Sequence, residues 1–94
     1  MATRIEAGRN LYQKAAWLLD HWRVESHLIY MVKWYTGETA VRVTEEPLQL
    51  HGGYGFIGDY NIERFYRDCK IVEIYEGTKE IEKTIIARAL LRRY

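Results

Sequence analysis

The punctuation of this chain constrains its fold more than any other feature. It holds one proline, Pro47, and its glycines gather between residues 52 and 58. A sheet of several strands needs turn residues at short regular intervals, whereas long stretches free of glycine and proline suit helices. The expectation is an all-α chain, an antiparallel helical bundle in one domain over residues 1–94.

Four segments follow. In the first, from about Thr3 to Trp22, Ile5, Tyr12, Ala15, Ala16, Leu19 and Trp22 share one helical face. Thr3 is placed to cap it, with Glu6 three residues on as a capping box. The second runs from about Val24 to Leu50 on a stripe of Leu28, Met31, Val32, Tyr35, Thr39 and Val43. Gly37 weakens its interior by about 1 kcal/mol relative to alanine. Pro47 lacks the N–H and clashes with the carbonyl four residues back, which predicts a kink or an early end. After the glycine turn, Asp59 is placed to cap a short helix over Tyr60 to Asp68, with Ile62, Phe65, Tyr66 and Cys69 inward. The last helix starts near Thr78, a favoured cap type. Glu80 and Glu82 in its first turn, and Arg92 and Arg93 in its last, match the helix dipole.

The composition sets limits. Apolar residues make up 48% of the chain, enough for a core, but a domain this small buries only about 60–65% of its unfolded surface. A partner that covers more surface would add stability. The net charge of +1 offers no bulk field for nucleic acid or an anionic membrane. One cysteine, Cys69, excludes an internal disulfide and reads as a small buried hydrophobe. No run approaches the roughly 20 apolar residues of a membrane span, and Met1–Glu6 has no signal-peptide core. The expected compartment is the cytoplasm, or an organelle matrix after removal of a transit peptide. His21, His27 and His51 lie too far apart for a zinc pattern, and no metal site is expected.

Two motifs carry chemistry. Glu76 lies between Tyr75 and Gly77, just before a helix start. A carboxylate there can serve as a general base if a pocket raises its pKa. On local context alone the solvated loop residue is the better reading, because isolated glutamates usually lie at the surface. Gly52, Gly53 and Gly55 can expose backbone N–H groups in a geometry that accepts phosphate, or can simply make a tight connection between helices. The turn is neither a Walker loop nor a dinucleotide fingerprint. The aromatic residues, among them Trp17, Trp22 and Trp34, suit core and interface packing, with stacking on a base or flavin as the alternative.

In combination, Gln49-x-x-Gly52-Gly53-x-Gly55-Phe56, Glu63-Arg64 to Arg67-Asp68, and Ile74-Tyr75-Glu76-Gly77-Thr78 resemble the C-terminal helical domain of the acyl-CoA dehydrogenases. The likeness is closest over residues 48–91. It implies that Glu76 removes the α-proton of an acyl-CoA thioester while a hydride passes to the flavin of FAD. It implies that Tyr75 and Gly77 line the substrate site, with Arg88 near its nucleotide end. Thr78 and Glu80 would contact FAD, and Gln49, Gly52 and Gly53 would reach the FAD of a neighbouring subunit.

The likeness also has departures. Family enzymes are roughly four times longer. Their N-terminal helical and middle β-domains, and the first helix of the C-terminal bundle, have no counterpart in these residues. Position 47 is commonly a small helix former, and Trp34-Tyr35 replaces smaller residues. A carboxylate without the other walls of its cleft is solvated. A bundle short of one helix exposes an apolar stripe, so a homo-oligomer or a partner chain supplying the missing domains is expected. The chain thus reads as part of a dehydrogenase, inactive alone, or as a non-catalytic interaction module of the same descent.

Overall fold

The computed structural model describes residues 1–92. Helix α1 spans Ala2–Asp20, α2 spans Ser26–His51, α3 is the single turn Gly53–Phe56, α4 spans Ile62–Lys70 and α5 spans Lys79–Leu91. Short 3₁₀ turns fill Gly58–Tyr60 and Ile71–Glu73. The fold is all-helical, as the glycine and proline distribution predicts.

Helix α2 is the axis of the molecule. Helices α1, α4 and α5 each pack on it rather than on one another. All three run antiparallel to it. The N-terminal half of α1 meets residues 36–43 of α2, the end of α4 meets residues 38–45, and Glu82 and Lys83 at the start of α5 meet Lys33 and Trp34. Leu18, Leu28 and Ile86 are the buried apolar core. Gly37 is buried because α2 approaches the Ile71–Glu73 turn closely there; a Cβ would stand 3.2 Å from the Val72 carbonyl oxygen. The expected helix weakness at this glycine is therefore exchanged for close packing.

Several local expectations are corrected. Helix α1 begins at Ala2, so Thr3 lies inside it; no side chain caps it, and Glu6 instead accepts from Arg9 and Asn10. Of the face expected on the first helix, Ile5, Tyr12 and Leu19 are exposed and Trp22 lies beyond α1, which ends at Asp20, while Gly8 and Leu18 are buried. Helix α2 continues through Pro47 to His51. Only one turn follows the proline, and packing of α3 and α4 on α2 supports it. Asp59 sits in the 3₁₀ turn, and α4 starts after Asn61, whose φ of 60° turns the chain into the helix. Phe65 is exposed and Cys69 half-buried. Thr78 does precede α5, without a side-chain cap bond. Helix α5 ends at Leu91, so Arg88 is the basic residue of its last turn. Arg93 lies outside the described residues. No helix among these residues is long and apolar enough to cross a membrane.

Candidate active site

The connection from α4 to α5 carries Glu76. Backbone φ is 55° at Glu76 and 108° at Gly77, so two successive residues are left-handed. Glycine adopts this readily; for glutamate it costs on the order of 1–2 kcal/mol. Tyr75 and Glu76 are exposed, and Gly77 is half-buried. The turn therefore holds a carboxylate outward at the foot of α5, and a glutamate in this conformation is a mark of imposed geometry.

Lys33 of α2 supplies part of the restraint. Its Nζ donates to the Val72 carbonyl at 2.7 Å and to the Gly77 carbonyl at 3.4 Å. It also lies 5.6 Å from the centre of the Tyr75 ring. Glu82, 1% exposed, places Oε1 3.1 Å from the same ammonium. That oxygen has no aligned hydrogen bond, so the contact is a Coulombic one. A second buried carboxylate, Glu73, pairs with Lys70 and, at 3.5 Å, with Lys79. Burial pushes the Glu73 carboxyl up, but the Lys70 hydrogen bond and charge, helped by Lys79, outweigh burial and hold it below its ordinary value. Glu38 is lowered in the same way: the Arg42 and Trp34 hydrogen bonds outweigh burial.

The glycine turn lies elsewhere. Gln49, Gly52 and Gly53 line an open groove of about 1040 Å³ with Phe56, Arg67 and Lys70. Gly52 has φ of 59°, whereas Gly53 and Gly55 are helical, so positive φ is confined to the first of the three. A Cβ at Gly52 or Gly53 would meet open space. At Gly55 it would stand 2.7 Å from the Leu48 carbonyl, so that glycine serves packing. Along α2, Gln49 is about 24 Å from Lys33 at 1.5 Å per residue. The Glu76 turn and the glycine groove are thus two separate places on one chain. Thr78 and Glu80, both exposed, belong with the Glu76 turn. Arg88 is about 15 Å farther along α5 and does not join it.

The sequence profile of the acyl-CoA dehydrogenase C-terminal domain matches residues 1–91. The chain belongs to the acyl-CoA dehydrogenase family. It is 48% identical over 93 residues to an acryloyl-CoA reductase (NADH) of Anaerotignum propionicum, covering 99% of this chain and 24% of that protein. It is 40% identical over 92 residues to a 3-(aryl)acrylate reductase of Clostridium sporogenes, covering 98% and 24%. Among solved structures, butyryl-CoA dehydrogenase of Megasphaera elsdenii superposes with a TM-score of 0.91 at 40% identity, covering 97% of this chain and 24% of that one. The chain spans about a quarter of the length of the curated relatives it matches.

Within this acyl-CoA dehydrogenase C-terminal domain, sequence reasoning missed Lys33, Glu73 and Glu82. Glu82 was expected to serve only the helix dipole. The signal for Lys33 was available: a lone lysine amid the apolar stripe of a helix needs a buried partner or a path to water.

Proposed function

We propose that this chain is the C-terminal part of an FAD-dependent acyl-CoA dehydrogenase, inactive alone, with Glu76 as the base. The observation that carries the reading is Glu76 itself, held outward in a left-handed turn at the foot of α5. The relatives' names, which specify butyryl-CoA and acryloyl-CoA, support acyl-CoA thioesters as the substrate class.

On this reading the Glu76 carboxylate takes the α-proton of the thioester. Gly77 lets the substrate approach the backbone, and Tyr75 offers an aromatic wall. FAD, when bound, would supply the acceptor for the hydride that leaves the β-carbon. The glycine groove suits the phosphates of a dinucleotide, with free space over Gly52 and Gly53 and the cations Arg67 and Lys70 alongside. Its separation from the Glu76 turn supports service to a second copy's cofactor, through Gln49, Gly52 and Gly53. Thr78 and Glu80 would hold the cofactor of the chain's own site. Arg88 is assigned to the nucleotide end of the substrate on resemblance alone. The remaining walls of the cleft come from segments outside these residues, either covalently linked or in a partner chain.

The test is a complementation. The chain is combined with polypeptide that supplies the family's other domains, and bleaching of the flavin by acyl-CoA is followed. Glu76→Gln should slow bleaching by about 100- to 10,000-fold. Full turnover in that variant would remove Glu76 from the chemistry.

A second reading, a non-catalytic interaction module, is favoured by the exposed apolar surface of α1 and the turn after it, including Trp17 and Trp22. Titration of the purified chain with FAD and with CoA separates the two. Micromolar binding favours a retained site; no binding favours the module.

A further inference from the structure

We propose that Lys33, with Glu82 behind it, is a positioning residue that sets the direction of the Glu76 carboxylate from α2. The consequence for catalysis rests on Glu76 being the base. Nζ bonds the Val72 carbonyl on one side of the turn and the Gly77 carbonyl on the other, bracketing Glu76. A lysine present only for charge balance would aim its protons at the buried carboxylate. Here Glu82 Oε1, 3.1 Å away, lacks an aligned donor, while both peptide carbonyls receive one. Glu82 stands 3.1 Å behind the ammonium, and Lys33 spends its hydrogen bonds on the backbone. The segment so held contains the left-handed Glu76, a conformation that a free loop would leave. Gly37, one turn along α2 from Lys33, brings the Val72 peptide within reach.

The experiment uses the full chain without flavin or substrate, so it does not depend on the chemistry assigned to Glu76. Backbone ¹⁵N relaxation is measured for the native chain and for the double variant Lys33→Met/Glu82→Leu, which leaves no unpaired buried charge. In the native chain Glu76 and Gly77 should be as rigid as the helices, with order parameters near about 0.85. In the double variant helical content should persist while those two residues fall below about 0.6. Mobility of both in the native chain overturns the proposal, as does a rigid turn in the folded double variant. If the double variant does not fold, Lys33→Met/Glu82→Gln, which keeps the volume of the Glu82 side chain, decides: Glu76 and Gly77 should lose their order, and a rigid turn overturns the proposal. In the complemented enzyme the double variant should lower kcat by about 100-fold with KM little changed. An unchanged kcat, with Glu76→Gln inactive, also overturns it. If Glu76→Gln is itself active, the base assignment has failed while the relaxation result stands.

Discussion

Glu73 is ionised although 5% exposed, because Lys70 and Lys79 meet it at the surface. Its folded pKa lies below the ordinary value. It therefore contributes stability fully above the unfolded glutamate value, about 4.3. That contribution is lost as pH falls through the lower folded value. Melting temperature should accordingly drop on the acid side of the glutamate range, and Glu73→Gln should flatten that drop while lowering stability at neutral pH. Equal acid sensitivity in the variant would assign the effect to Glu38, which is lowered by the same kind of contacts. At this scale the sequence was half-readable. Glu76 and Gly77 announced themselves because their neighbours are contiguous. Lys33 and Glu82 did not, because they meet across a helix pair from positions far apart in sequence, and no local spacing encodes that.

Among the elements, α2 is held against the Ile71–Glu73 turn at Gly37. Alanine there would gain about 1 kcal/mol of helix propensity. Its Cβ would press on a carbonyl already drawn in by Lys33, at 2.7 Å, and overpacking costs about 1–3 kcal/mol. Gly37→Ala should therefore lower stability by about 1 kcal/mol in a denaturant titration. A stabilised variant would mean that the turn can yield. The four longer helices and their order were readable from glycine and proline placement, whereas the helical turn Gly53–Phe56 within the glycine run was not. Helix starts were not: Thr3 and Asp59 are good cap types by composition, yet the chain enters α1 at Ala2 and α4 after a left-handed Asn61. Tertiary contacts also carry α2 past Pro47, which propensity alone argues against.

The whole molecule is open. Its radius of gyration is 15.9 Å, against about 12 Å for a compact domain of this length. Large apolar side chains on α1 and just beyond it stand exposed, Trp17 at 55% and Trp22 at 95%. Such a surface seeks a cover. In sedimentation at micromolar concentration the purified chain should run as a dimer or larger. A stable dilute monomer would contradict that expectation. The apolar periodicity of α1 was legible as a stripe, but its destination was not, because the same pattern suits an internal core and an interface. Helix α2 carries Lys33 under the Glu76 turn and Gln49 beside the groove. One residue inserted between them would swing one end by about 100° relative to the other. Point substitutions on the outer face of α2 leave that phase intact, while a single-codon insertion or deletion destroys it. The helix is a shaft between two fittings: its outer face can be rewritten, and its length cannot.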